Sequence, residues 1–288
     1  MNKELYGNTV SDSGERCMLK KVTATVISQS MIADGIYDMW IKTDLAMYAH
    51  CGQFVGVYSS DASKLLPRPI SICEISDDYK ALRLVYRVTG KGSGTADLST
   101  LKENDTVKIL GVLGNGYEFV KIFGEDLSGA TDVVLMGGGI GIPPILQLSK
   151  ELYAHGIKHT VIAGYRNSEL FLNQDLANYG TLEIATEDGS VGVKGNVLDV
   201  VVEKGIKTGV ILACGPMPML KAIKKYAEST NNGREVMAYI SLEERMACGV
   251  GACLGCVCKT THKDEHSNVN NARICTDGPV FNSRDVMI

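Results

Sequence analysis

The sequence predicts a multi-domain β + α/β protein: an antiparallel β-barrel, then a parallel-sheet domain, then a small C-terminal domain held by a metal cluster. Three observations predict it. The first third of the chain carries short alternating apolar–polar segments separated by Gly, Asp and Ser, the pattern of a small antiparallel barrel. From about residue 130, apolar strands alternate with helical segments, the pattern of βαβ units and a parallel sheet. From Ser241 onward the chain is rich in Gly and Cys, lacks a long periodic segment and is too short to build a large core alone.

In chain order, residues 1–18 read as an N-terminal extension and residues 19–125 as the barrel. Its strand candidates are 21–28, 35–43, 53–58, 81–88 and 106–110. Residues 126–240 read as the parallel-sheet domain. There, 132–136 is a strand ending in three glycines, followed by a helix over 143–155. Strands at 159–164, 182–186, 209–213 and 235–240 then alternate with helices at 170–178, 197–203 and 217–228. Residues 241–288 form the cysteine-rich domain.

Composition excludes several classes. Twenty-nine basic residues stand against 33 acidic, for a net charge of −4, which gives no electrostatic reason to expect nucleic acid or an anionic membrane. No apolar run approaches the roughly 18 residues of a membrane span. No apolar h-region is visible near Met1. The expectation is a soluble, cytoplasmic protein.

The nine cysteines are an odd number, and five of them lie from Cys248 onward. A secreted disulfide framework usually has an even count, so the clustering points to a metal site. Cys248, Cys253 and Cys256 give C-x4-C-x2-C, and Cys275 follows at a distance: the plant-type [2Fe-2S] pattern. Glycines at 249, 251 and 255 let the backbone turn sharply and bring N–H groups to the sulfurs. A zinc knuckle would show a second C-x2-C pair, which is missing. Cys258 reads as a non-ligand. His262 and His266 fall in a polar segment that reads as a solvated loop.

Two further motifs suit phosphates. Arg68-Pro69-Ile70-Ser71 offers a guanidinium fork for a pyrophosphate, a fixed backbone and a hydroxyl for a flavin ring edge. Val85-Tyr86-Arg87 and a Gly-rich loop containing Gly92 and Ser93 follow, ahead of a helical turn at 98–101. Gly137, Gly138, Gly139 and Gly141 end the first strand of the βαβ region, where close backbone approach to a dinucleotide is needed. Cys214-Gly215-Pro216 marks a second strand-to-helix turn at the same end of the sheet.

The order R-P-x-S, Gly-rich loop, G-G-G-x-G-x-x-P, C-G-P-x-x-M and plant-type cysteines resembles the ferredoxin reductase superfamily with an appended [2Fe-2S] segment. The tail, E-E-R-M-A-C-G-V-G-A-C-L-G-C with C-T-D-G-P-V-F, resembles the electron transfer subunits of class 1B dihydroorotate dehydrogenase. The resemblance runs from about Lys21 to Phe281. It implies FAD held by Arg68 and the Gly92-Ser93 backbone, with Ser71 at the isoalloxazine. It also implies NAD held by Gly137 to Gly141 and the Cys214-Gly215-Pro216 turn, and a cluster on Cys248, Cys253, Cys256 and Cys275. The implied partner is a separate FMN-containing catalytic subunit in a 2+2 heterotetramer that oxidises dihydroorotate in pyrimidine biosynthesis. Electrons would pass through the cluster and FAD to NAD+, with no general acid or base on this chain. Two departures stand out: the N-terminal extension and a longer stretch between Cys256 and Cys275. Competing readings are a subunit of another NAD(P)H oxidoreductase, of sulfide dehydrogenase or ferredoxin:NADP oxidoreductase type, and a zinc-stabilised interaction module.

Overall fold

The computed structural model describes residues 20–229, 235–264 and 268–288. The expected N-terminal extension and His266 lie outside the described residues. Six strands close a barrel: β1 (Lys20–Ala33), β2 (Ile36–Lys42), β3 (Phe54–Val57), β4 (Arg68–Ile75), β5 (Ala81–Arg87) and β6 (Thr106–Leu113). Around it they run β1-β2-β5-β4-β3-β6, every neighbour antiparallel. Alternation places Ala24 and Val26 of β1 inward with Met39, Ile41, Ile72, Leu82, Leu84 and Ile109, all buried. The strand β4 was not expected. Pro69 breaks the apolar pattern, yet a proline as the second residue of a strand costs the ladder little.

Two short helices, α1 (Gly94–Leu98) and α2 (Phe119–Phe123), belong to the connections around the barrel. The remaining strands are β7 (Val133–Gly138), β8 (His159–Tyr165), β9 (Thr181–Thr186), β10 (Val193–Lys194), β11 (Val210–Cys214), β12 (Met237–Ser241), β13 (Val257–Lys259), β14 (Asn271–Arg273) and β15 (Val280–Asn282). Seven form one sheet in the order β10-β9-β8-β7-β11-β12-β15, parallel except for β15, which pairs antiparallel with β12. The pair β13–β14 is a separate hairpin. Every residue of β7 and β11 is buried, as strands covered on both faces require.

The helices are α3 (Ile142–Ala154), α4 (Asn173–Ala177), α5 (Val197–Lys204) and α6 (Met217–Glu228). α4 is shorter than the span 170–178 expected from its apolar pattern. Leu172 sits at φ 61°, and the Tyr165 hydroxyl donates to the Phe171 carbonyl at 2.8 Å, holding that stretch out of the helix. α5 carries a capping box of Asn196 and Asp199 and ends at Gly205 in the left-handed region.

The barrel and the large sheet share one core in which Ile36, Cys73 and Val85 pack with Leu135, Leu146 and Leu212. Directed bonds reinforce the junction. The Ile75 amide donates to Gln147 Oε1 at 2.8 Å, the Cys51 amide to Glu151 Oε1 at 3.1 Å, and the Tyr117 hydroxyl to the Ala213 carbonyl at 2.9 Å. Arg83 of β5 reaches Asp38 of β2 (2.8 Å), Glu74 of β4 (3.1 Å) and Asp175 of α4 (3.2 Å). No described helix is long and apolar enough to cross a membrane.

Candidate functional site: two adjoining clefts and a thiol loop

The strand order puts β8 on one side of β7 and β11 on the other, so a crevice opens at the C-terminal ends of β7 and β11. A cleft of about 930 Å³ fills it. Its walls include Gly138, Gly139, Gly141, Gly215 and Pro216, together with Arg166, Glu169 and Glu187. Gly137 and Cys214 were expected here and instead lie beneath the floor, fully buried.

The glycines divide by purpose. A side chain on Gly141 would put its first carbon 2.5 Å from the Cys214 carbonyl carbon, and one on Gly138 would meet Met219 Sδ at 2.6 Å. Those two let the β7 and β11 turns close on each other. A side chain on Gly139, at φ 52°, would meet only Arg87 Nη2, 3.9 Å from its first carbon, so the bareness of Gly139 serves its backbone conformation and the cleft. The N-terminus of α3 follows at once, with Gly141 as cap and no side-chain acceptor, leaving backbone N–H groups for an anion.

A second cleft of about 610 Å³ lies against the barrel. It takes in Arg68, Pro69, Ile70 and Ser71 of β4 and Val85, Tyr86 and Arg87 of β5, all as the sequence grouped them. A side chain at Gly94 would run into the Arg68 guanidinium, so the Gly-rich loop closes over that group. Gly92 and Ser93 are absent from the lining. The Ser93 hydroxyl is committed to capping α1, accepting from the Ala96 amide at 3.1 Å. Tyr86 is buried, its hydroxyl donating to Gln29 Oε1 at 2.8 Å. Thr95 also lines the cleft, through a helix start four residues earlier than expected.

Arg87, Ile140 and Glu243 line both clefts. Glu243 lies two residues beyond the end of β12. Its carboxyl is open to the clefts but surrounded by protein, and that burial raises its pKa. Burial pushes the nearby Cys214 thiol up to about 12; Glu243 adds to the shift and a Ser241 hydrogen bond opposes it. Sequence reasoning read the stretch before the cysteines only as a family signature. The missed signal is positional: residues just past a parallel strand's C-terminal end face the crevice.

The cysteine loop begins where that stretch ends. Cys256 and Cys275 are buried, Cys248 is half-buried and Cys253 is exposed. The Val250 amide donates to Cys248 Sγ (3.4 Å), Gly251 to Cys275 Sγ (3.2 Å) and Gly255 to Cys253 Sγ (3.4 Å). Burial acts against the Cys248 thiolate, but amide donors led by Val250 bring that thiol down to about 7. Among the described residues no three Cys, His, Asp or Glu side chains converge on one ion position. Cys253 acts on the Cys248 thiol, and both Cys256 and Cys248 act on that of Cys275, so the four sit in one neighbourhood. Four thiols with backbone amides donating to three of their sulfurs suit an iron–sulfur cluster. Cys258 lies half-buried in β13 opposite Ala272, and His262 is exposed beside Asp285.

Comparison with known proteins agrees with this arrangement. Residues 243–287 match the family model described as the iron-sulfur cluster binding domain of dihydroorotate dehydrogenase B. The dihydroorotate dehydrogenase B (NAD(+)) electron transfer subunit of Streptococcus pneumoniae is 37% identical over 272 residues, covering 94% of this chain and 100% of that protein. That of Bacillus velezensis is 39% identical over 273 residues, with the same coverage. In fold, the chain resembles an NADH-dependent reduced ferredoxin-NADP oxidoreductase, with a TM-score of 0.76 at 24% identity over 93% of this chain and 91% of that one. A ferredoxin NADP+ reductase from Neisseria gonorrhoeae gives a TM-score of 0.62 at 15% identity, over 77% of this chain and 98% of that one. A barrel joined to a parallel sheet, two clefts sharing a wall and a four-thiol loop thus occur in a chain that aligns almost end to end with these subunits, and it belongs to the dihydroorotate dehydrogenase B electron transfer subunit family.

Proposed function

We propose that this chain is the electron transfer subunit of an NAD-dependent dihydroorotate dehydrogenase in cytoplasmic pyrimidine biosynthesis. Its partner would be an FMN-containing catalytic subunit that oxidises dihydroorotate, in a 2+2 assembly. One observation carries the reading: the two clefts share the wall made by Arg87, Ile140 and Glu243, and the cleft on the barrel side is closed by the segment leading into the thiol loop. When bound, the [2Fe-2S] cluster relays single electrons, and FAD gathers two and gives a hydride to NAD+.

The residues then have defined tasks. Arg68 presents its fork to the FAD pyrophosphate, Thr95 adds a hydroxyl on the same cleft, and Ser71, Val85 and Tyr86 border the ring end. Gly92 shapes the loop, and Ser93 holds α1 in place. Gly139 and the α3 N-terminus receive the NAD pyrophosphate. Gly138, Gly141 and Gly215-Pro216 line this cleft and keep its turn tight, with Gly137 and Cys214 packed beneath them. Glu187, at the end of β9, gives the dinucleotide cleft an acidic rim that disfavours a ribose 2′-phosphate and so favours NAD over NADP. Cys248, Cys253, Cys256 and Cys275 hold the cluster.

The deciding experiment is anaerobic absorption spectroscopy of the purified protein, titrated with NADH and then with the FMN subunit plus dihydroorotate. Flavin and iron–sulfur bands that bleach with both donors support the proposal. Bleaching by NADH alone assigns the chain to a different oxidoreductase partner. Absence of both bands after reconstitution refutes it.

A further inference from the structure

Two apolar side chains lie between the barrel-side cleft and the thiol loop. Met246 lines the cleft and packs against the core that contains Cys256 and Cys275. Its sulfur is also 3.7 Å from where a side chain on Gly249, in the thiol loop, would begin. Ile274 lines the same cleft, is 2% exposed, adjoins Cys275 in the chain and donates its amide to the Cys256 carbonyl at 2.9 Å. Each of these side chains therefore borders the cleft on one side and the thiol loop on the other. The buried thiol pair, Cys256 and Cys275, lies on this side, whereas Cys253 is exposed.

We propose that Met246 and Ile274 are positioning residues that form a dry septum between the two sites and set the rate at which single electrons cross. The inference rests on the function proposed above. Close packing without water keeps the sites at a fixed separation and in a low-dielectric surrounding, the means by which an apolar shell tunes a metal centre. Each crossing takes one electron from the reduced iron–sulfur site and gives one to the flavin. Two crossings and one proton from solvent supply the hydride that NAD+ accepts, so electrons and protons balance. With NADH as donor, the same septum is crossed in the other direction.

The test is anaerobic stopped-flow of the holoprotein with NADH, following flavin bleaching and iron–sulfur bleaching separately, in Met246→Leu, Met246→Gln and Met246→Ala and in Ile274→Val and Ile274→Thr. The low-temperature EPR signal of the reduced protein reports whether the cluster is intact. Flavin bleaching should be unchanged throughout. Iron–sulfur bleaching should slow by about tenfold, the low end of what outer-shell partners of a metal contribute, in the Gln, Ala and Thr variants, and stay normal in Leu and Val. Equal iron–sulfur rates across the series, with intact EPR signals, overturn the septum. So does an equal slowing of flavin bleaching, which would place these residues in flavin binding instead. If Met246→Ala loses its cluster, the Gln and Leu variants decide, since both keep the side-chain bulk. Failure of the underlying function shows earlier and differently, as wild-type protein without flavin and iron–sulfur bands.

Discussion

Gly141 does not have a positive φ, yet it tolerates no side chain, because its first carbon would enter the Cys214 carbonyl. Gly141→Ala should destabilise the protein by about 2 kcal/mol through overpacking, read as a lower denaturation midpoint, and should weaken NADH binding because the same turn borders the cleft. The cysteines give a sharper contrast. Cys256→Ser removes a buried member of the Cys256–Cys275 pair and should abolish the iron–sulfur absorption. Cys258→Ser, in a hairpin strand opposite Ala272, should leave iron content unchanged in elemental analysis. The sequence separates these two cysteines, since Cys256 belongs to the C-x4-C-x2-C spacing and Cys258 falls outside it. Glu243 was not legible there, because nothing local marks a residue whose importance comes from a strand ending beside another strand.

Among the elements, β4 binds the molecule together: it carries the Arg68–Ser71 segment on the barrel-side cleft and Ile75, which bonds to α3. Arg83 braces it from β5. Desolvation works against this guanidinium, but Asp38 and its other carboxylate neighbours hold its pKa above the usual arginine range. Arg83→Ala would leave Asp38 without its Arg83 partner and Glu74 with Lys150 alone, a loss of about 3 kcal/mol in denaturant unfolding. His159 gives α3 and β8 a pH dependence. Its Nε2 meets Ser149 Oγ at 2.7 Å, and burial lowers its pKa, against the Ile157 carbonyl, which raises it. The unfolded chain therefore takes up the proton first. Stability from this site is full above the unfolded value of about 6.5 and is lost as pH falls from there toward the lower folded value. Melting temperature should fall between about pH 7 and pH 5, and less steeply in His159→Gln. Sequence patterning located five of the seven strands of the large sheet and missed β10 and β15, which at two and three residues are too short to show a pattern. It missed β4 because of Pro69 and overextended α4 because the turn at Leu172 is imposed from outside by Tyr165.

At the scale of the whole molecule, the barrel, the sheet and the segment leading into the thiol loop meet at the wall shared by the two clefts. The thiol loop leaves the sheet at β12 and returns as β15, which pairs with β12 through Tyr239–Asn282, Ile240–Phe281 and Ser241–Val280. A chain ending at Pro279 keeps all four cysteines but loses this return. It should release iron to a chelator faster than the full chain, followed by loss of absorbance. The reason is entropic. Joining the ends of a loop of this length carries a closure cost that any ligand binding inside it would otherwise have to meet. Here the sheet meets part of that cost through the backbone ladder between β12 and β15. Cluster insertion needs only local ordering of a loop already anchored at both ends, which makes loss and reloading of iron reversible without unfolding the flavin and dinucleotide clefts.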